Sequence, residues 1–203
     1  TNFTKSTGDE LDRAVAEMKS AGAKALILDL RYNPGGLLQA ATEVSDKFLT
    51  NGTIVSTKAD RDTPNQPTEA MARAEDNEFD LPTVVLVNQY SASASEIVSG
   101  ALKDHGRALV VGERTFGKGS VQLVFSRIAG GAALKLTIAQ YLTPGGISIQ
   151  GVGVTPDIEL DPMTADNLEM DLFRSETRLS ERDVRSPVDR PRSFTHVEAR
   201  AAA

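Results

Sequence analysis

The sequence predicts an α/β fold in which βα units surround a largely parallel sheet and a β-hairpin follows them. Three short apolar runs of the kind found in buried parallel strands alternate with stretches of helical spacing; they are 25–30, 83–88 and 108–112. From residue 120 apolar and polar residues alternate on both sides of Gly130-Gly131, which is typical of a hairpin. With 203 residues, 40% of them hydrophobic, the chain can bury one substantial core.

The first of these strands is expected to lie between two helices. A T-x-x-E capping box at Thr7 predicts a helix over about 8–20, which ends near Gly22. The nearly continuous apolar run 25–30 predicts a strand covered on both faces. The turn D-L-R-Y-N-P-G-G (29–36) then leads into a second helix.

Two polar stretches fall outside this pattern. After a short strand expected over 53–56, residues 58–80 contain prolines and many acidic residues, so we expect an exposed loop. From Ser180 the chain is rich in Arg, Asp, Glu and Pro, and we expect it to be flexible or ordered only by a partner. We therefore divide the chain into a core (1–160) and a polar, partly helical or flexible tail (161–203).

Composition narrows the function classes. A formal net charge of −6 and a pI near 5.0 argue against nucleic acid or an anionic membrane as the main partner. The chain contains no cysteine, which excludes disulfides and cysteine metal sites. No apolar run approaches 18 residues, so no membrane-spanning segment is expected, and the sequence begins without a signal-peptide pattern.

A serine-rich turn and a glycine-flanked lysine carry the candidate chemistry. Ser93 begins an S-A-S-E turn after a predicted strand, and a serine nucleophile needs a base. His105 lies twelve residues further on one predicted helix, which separates the two by about 18 Å. His196 lies in the polar tail, and a G-x-S-x-G elbow is absent, so a Ser-His-Asp triad is not supported. Lys118 remains as the base, provided that burial or its neighbours remove its charge.

Each of these residues also has a purely structural interpretation. Ser93 and Glu96 form an S-x-x-E capping box, so the serine can simply cap a helix, and we expect Glu96 to stabilise that helix start. Lys118 can be a solvated loop cation, as most lysines are. Gly35 and Gly36 can serve only a tight strand-to-helix turn, or their free amides can form an oxyanion hole.

The constellation resembles the carboxyl-terminal processing peptidases, also called tail-specific proteases, which are serine peptidases with a Ser-Lys dyad. S-A-S-E is followed 25 residues after its first serine by the lysine of G-E-R-T-F-G-K-G (112–119), and a glutamine follows four residues later. D-L-R-x-N-P-G-G and the segment 141–158 are similar to the second and third signatures of this family. The resemblance implies that Ser93 is the nucleophile, that Lys118 is the base, and that Gln122 helps to orient the lysine.

The same resemblance implies an oxyanion hole formed by the Ala94 amide and by the amide of Gly35 or Gly36, without choosing between the glycines. No role in the chemistry is assigned to the third signature. The implied fold is a crotonase-like core. No metal or cofactor is implied.

Family members usually carry an N-terminal helical region and a PDZ domain, and this sequence contains neither, so we expect a fragment of the catalytic core. The expected substrates are C-terminally tagged or partly unfolded proteins in the periplasm or another extracytoplasmic space. The sequence leaves open whether the chain forms a homo-oligomer and whether a partner or regulatory domain lies outside it. Two alternatives also stay open: a non-catalytic ligand- or peptide-binding relative of the same fold, and a crotonase-type acyl-CoA enzyme.

Overall fold

The computed structural model describes residues 2–59, 68–73, 79–125, 133–160 and 180–181. The helices of these ranges are α1 (Thr7–Ser20), α2 (Leu38–Asp46) and α3 (Ala94–Asp104). The strands are β1 (Leu26–Asp29), β2 (Thr53–Ala59), β3 (Glu69–Met71), β4 (Thr83–Val87), β5 (Ala108–Gly112), β6 (Ser120–Phe125), β7 (Leu134–Leu142) and β8 (Ile158–Glu159). The predicted α/β class is therefore confirmed.

The strands form two four-stranded sheets. One has the order β1-β4-β5-β8, and all of its neighbouring strands are parallel. The other has the order β3-β2-β7-β6 and is antiparallel. The predicted hairpin is present as β6 and β7, although its Gly130-Gly131 turn lies outside the described residues. Strand β7 of this hairpin pairs with β2, which pairs in turn with β3, so the hairpin is part of a second sheet that the sequence pattern did not predict.

The core lies between the parallel sheet and helices α2 and α3. The inward side chains of β4 and β5 are fully buried, as are the facing side chains of the two helices; they include Val85, Val87, Val110, Ala41, Val44, Val98 and Leu102. Burial of β-branched and aliphatic side chains on one face of a sheet is the main stabilising contribution in such a fold. This burial also fixes the positions of the carboxyl ends of β1 and β4, where the candidate site lies.

The opposite face of the parallel sheet is open within the described part of the chain. Ile27 of β1 and Leu109 of β5 are 67% and 53% exposed, and both lie in register with Val84 between them. The prediction that the 25–30 strand is covered on both faces is therefore wrong for the residues that the structure describes. A continuous apolar run records which side chains are apolar but not which neighbouring element covers them.

Two local predictions also differ from the structure. Helix α1 begins at Thr7 itself, and the Thr7 hydroxyl accepts the Thr4 amide at 2.8 Å, so Thr7 is not the residue that caps the helix. The stretch expected as an exposed loop contains β3, which pairs with β2. It also contains Phe79, which is 3% exposed and packs edge-on against Phe48 with ring centroids 5.0 Å apart.

No helix in the described ranges combines the length and apolar character needed to cross a membrane.

Candidate active site

Two turns meet at the carboxyl ends of the neighbouring parallel strands β1 and β4. The Asn88 side-chain oxygen accepts the Tyr32 amide at 3.0 Å and the Tyr90 amide at 3.1 Å, so one side chain joins both turns. The Ser91 hydroxyl donates to the Leu30 carbonyl oxygen at 2.8 Å. The ends of adjacent strands in an open α/β sheet are the usual place for a ligand site, and these bonds hold two loops together there.

The serines of the S-x-S-x-S turn have different roles. Ser91 and Ser95 are fully buried, and the Ser95 hydroxyl donates to the Asn33 carbonyl oxygen at 2.8 Å. The same carbonyl accepts the Ala92 amide at 3.1 Å. Ser91 and Ser95 therefore attach the serine turn to the preceding glycine turn. Ser93 is only half-buried, which leaves it as the serine of this turn that a substrate can reach.

The backbone of Ser93 adopts an unusual conformation. Its φ of 56° and ψ of −112° place a non-glycine residue in the left-handed half of the backbone map, at a cost of about 1–3 kcal/mol. Ser93 is also the residue from which α3 begins. A sharp strand-to-helix turn of this kind presents a serine hydroxyl above the sheet, as a nucleophile elbow does. The conformation is therefore that of an elbow, although the G-x-S-x-G sequence is absent.

Gly35 and Gly36 occupy different environments beside this turn. A Cβ atom on Gly35 would lie 2.8 Å from the Ala94 nitrogen, so only glycine permits this approach. The Gly35 amide donates to the Asn33 side-chain oxygen at 3.0 Å. The hydrogen bonds of the structure leave the amides of Gly36 and Ala94 without an acceptor among the described residues. Gly35 therefore lies against Ala94, and of the two glycines Gly36 is the one whose amide has no acceptor among the described residues.

The Glu96 side chain joins the serine turn to the lysine loop. Its Oε2 accepts the amides of Ser93 and Lys118, each at 2.8 Å. Its Oε1 accepts the Gly117 amide at 2.6 Å and the Thr115 hydroxyl at 2.5 Å. The backbones of the predicted nucleophile and the predicted base are therefore bonded to the same oxygen atom.

Glu96 is fully buried, although carboxylates rarely are. Burial raises the pKa of its carboxyl above the ordinary value, and the hydrogen bonds from Thr115, Ser93, Gly117 and Lys118 oppose that shift. Donors surround both carboxylate oxygens, so the cost of desolvating this group is partly offset by charge-assisted hydrogen bonds.

The side chains of Lys118 and Gln122 are both exposed. The Lys118 amide is fixed by Glu96, and Gln122 lies four residues later in β6, where it pairs with Thr137 directly after a register shift. The structure thus brings the Ser93 turn, both glycines and the Lys118 backbone together. The orienting contact between Gln122 and Lys118 stays a prediction.

The histidines do not complete a triad in the described structure. His105 follows the far end of α3 from Ser93, and its Nε2 lies 2.7 Å from the Thr53 carbonyl oxygen. His196 lies outside the described residues. Among the described residues, no group of three or more His, Asp or Glu is placed to hold a metal ion.

Comparison with known proteins identifies the family. Residues 1–160 match the model of peptidase family S41. The chain belongs to this family. It is 46% identical over 163 residues to the carboxy-terminal-processing protease of Bartonella bacilliformis, with 78% of this chain and 37% of that protein covered. It is 40% identical over 174 residues to the chloroplastic carboxyl-terminal-processing peptidase 3 of Arabidopsis thaliana, with 83% and 33% covered.

A solved structure gives the same result for the fold of this S41 chain. The photosystem II D1 C-terminal processing protease superimposes with a TM-score of 0.72 at 39% identity and covers 79% of this chain and 40% of its own. The crotonase-like α/β core expected from the sequence agrees with this match, and the resemblance to carboxyl-terminal processing peptidases is confirmed. The chain spans between a third and two-fifths of the length of these relatives.

Sequence reasoning missed the extent of the Glu96 contacts in this S41 core. The S-x-x-E pattern predicted a helix cap, and the bond from the Ser93 amide confirms that part. The bonds from Thr115 and Gly117 come from residues 19 and 21 positions away, and no local pattern predicts them. An acidic residue next to the apolar positions 97, 98, 101 and 102 was the available indication that Glu96 is buried.

Proposed function

We propose that this chain is the core of a carboxyl-terminal processing serine endopeptidase. In this proposal Ser93 attacks a peptide carbonyl and Lys118 removes its proton. The observation that supports it most strongly is the bridge at Glu96, whose Oε2 accepts both the Ser93 and the Lys118 amide. The left-handed backbone of Ser93 supports it independently, because strained conformations persist where function requires them.

The reaction proceeds through an acyl-enzyme. The Ser93 oxygen forms a bond to the peptide carbonyl carbon while its proton passes to the Lys118 amine. The amides of Gly36 and Ala94 donate to the oxyanion of the tetrahedral intermediate. The ammonium of Lys118 then protonates the leaving amine as the C–N bond breaks. A water molecule, deprotonated by Lys118, hydrolyses the ester and restores Ser93.

Lys118 must be uncharged to accept a proton, and burial is a general means of neutralising a lysine. Its side chain is exposed in the structure. We propose that a bound peptide covers the Lys118 amine and that Gln122 then helps to orient it. On this basis the peptide, rather than the free core, completes the environment that the base needs.

The proposed substrates are C-terminally tagged or partly unfolded proteins, in the periplasm or another extracytoplasmic space. The names of the relatives support a processing role, since they are carboxyl-terminal processing proteases of a bacterium and of a chloroplast. A substrate-recruiting or regulatory region outside this chain, and self-association, are further parts of the proposal.

The test is mass-spectrometric detection of the cleavage of an unstructured protein such as casein by the 203-residue chain. Ser93→Ala and Lys118→Ala should each abolish the products, and Lys118→Arg should do the same because a guanidinium does not give up its proton. Ser20→Ala and Lys5→Ala change the same residue types at exposed positions near α1 and serve as controls. Products that persist in Ser93→Ala would contradict the proposal.

A further inference from the structure

The Lys118 loop is held on a second side, away from Glu96. The Gly117 carbonyl oxygen accepts the Gly151 amide at 2.7 Å, and the Gly119 amide donates to Oε1 of Gln150 at 3.1 Å. A Cβ atom on Gly119 would lie 2.7 Å from the Gln150 nitrogen, so the two backbones are in close contact. The loop therefore packs directly on the turn at Gln150, within the third signature of the sequence.

Glu181 contacts this arrangement from a distant part of the sequence. Its Oε2 accepts a hydrogen bond from Nε2 of Gln150 at 2.5 Å, and its amide donates to the Phe116 carbonyl oxygen at 2.9 Å. The residue is only 7% exposed. Glu181 belongs to the polar stretch that begins at Ser180, of which the structure describes residues 180–181, and it contacts the core through its side chain and its backbone.

These contacts lie on both sides of the predicted base. Glu181 binds the loop directly at Phe116, two residues before Lys118, and indirectly at Gly119, one residue after it, through Gln150. A hydrogen bond to an ionised acceptor is shorter and stronger than a neutral one, so the Glu181 carboxylate is suited to hold the Gln150 amide in one orientation. That orientation points the Gln150 oxygen at the Gly119 amide.

We infer that Glu181 is a positioning residue for Lys118, which acts through Gln150 on the loop that carries the lysine. The inference rests on the proposed function, in which Lys118 is the base. Glu96 holds the loop from the serine side, while Glu181 and Gln150 hold it from the opposite side. Glu181 is thus part of the peptidase machinery.

The test exchanges the two side chains. Gln150→Glu places a carboxylate against the Glu181 carboxylate but leaves an oxygen to accept the Gly119 amide. Charge repulsion should then break the contact between residues 150 and 181. Glu181→Gln replaces the ionised acceptor of the Gln150 amide with a weaker neutral one, so it should lower kcat about threefold, less than Gln150→Glu does. The double variant Gln150→Glu/Glu181→Gln restores a donor and an acceptor in reversed order. Glu17→Gln, on the exposed side of α1, is the control.

Peptide hydrolysis by the 203-residue chain is measured for each variant. Gln150→Glu should lower kcat at least about tenfold with KM within about twofold, because displacement of a base affects the chemical step rather than binding. The double variant should recover kcat to within about threefold of the wild type. Amide hydrogen exchange at residues 117–119 should accelerate in Gln150→Glu and return to normal in the double variant.

The outcomes separate the inference from the function on which it rests. Wild-type hydrolysis that depends on Ser93 but is unchanged in Gln150→Glu would overturn the inference alone. Loss of kcat in Gln150→Glu without recovery in the double variant would also overturn it, because the pairing would then not be the cause. A wild type without Ser93-dependent hydrolysis would overturn the proposed function, and the inference with it.

Discussion

Replacement of Glu96 separates the stability of this core from the geometry of its site. Glu96→Ala removes the acceptor of three backbone amides and one hydroxyl, all of which lie within 2.8 Å of the carboxylate. A buried donor without a partner costs about 1–3 kcal/mol, so we expect Glu96→Ala to lower the free energy of unfolding by at least about 3 kcal/mol. Urea denaturation followed by circular dichroism measures this loss.

Glu96→Gln is the more informative change. The glutamine keeps one side-chain oxygen that can accept hydrogen bonds, but its new NH₂ group faces donors that bind the other oxygen of Glu96. The substitution also removes the cost of burying the carboxylate charge. We expect a smaller loss of stability, about 1–2 kcal/mol, because fewer donors lose their acceptor. The spacing between Ser93 and Lys118 should change, and a displacement of about 1 Å can lower kcat about 10²-fold. Wild-type kcat in Glu96→Gln, with Glu10→Gln as the control, would refute the argument.

The pH dependence of stability tests the buried carboxyl directly. Burial raises the pKa of Glu96, so the folded chain binds this proton more tightly than the unfolded chain, whose glutamates titrate near about 4.3. The contribution of Glu96 to stability is therefore greatest below that pH and declines as the pH rises through the folded pKa. The difference in free energy of unfolding between the wild type and Glu96→Gln should therefore fall over the pH interval above about 4.3, the unfolded-state value. A difference that grows over this interval would contradict the burial argument.

Two further substitutions test the turns around Ser93. Gly36→Ala puts a Cβ in steric conflict with the Phe3 carbonyl oxygen, so the amide at position 36 moves away from the oxyanion. This displacement should lower kcat about 10²- to 10³-fold, which steady-state kinetics checks. Gly22→Ala, also at positive φ but with open space around it, should leave kcat unchanged. Ser91→Ala leaves the buried Asn88 amide without an acceptor and removes one of the two donors to the Leu30 carbonyl oxygen, and urea denaturation should show a loss of about 1–3 kcal/mol. Ser99→Ala, which removes a single 3.4 Å bond, should cost less, and equal losses would contradict the account.

Local sequence patterns identified the elements whose shape depends on their own residues. The parallel strands β4 and β5 agree with the predicted runs because an uninterrupted series of β-branched residues has few alternatives to a buried strand. Strand β3 was missed because its three residues become a strand only by pairing with β2. The open face of β1 was mispredicted because coverage depends on other elements, not on the run itself.

The features of the candidate site likewise fall into those that local sequence patterns predict and those that depend on distant contacts. Ser93, Lys118 and the two glycines could be selected from spacing and resemblance, since each lies in a dense local signature. The distinction between Gly35 and Gly36 required the structure, because it depends on which amide the Asn33 side chain already binds. The contacts of Glu181 could not be predicted, because its side chain and its amide bind residues more than thirty positions away in the sequence.

The central claim is that Lys118 activates Ser93. Its most direct test is covalent labelling of the 203-residue chain with a fluorophosphonate, in which the serine oxygen displaces fluoride from phosphorus. The adduct is located by peptide mass spectrometry. The account predicts a single labelled serine, Ser93, with a labelling rate that falls at least about 10²-fold in Lys118→Ala and is unchanged in Lys5→Ala. Labelling of Ser93 at the same rate in Lys118→Ala, or labelling of another serine instead, would contradict it.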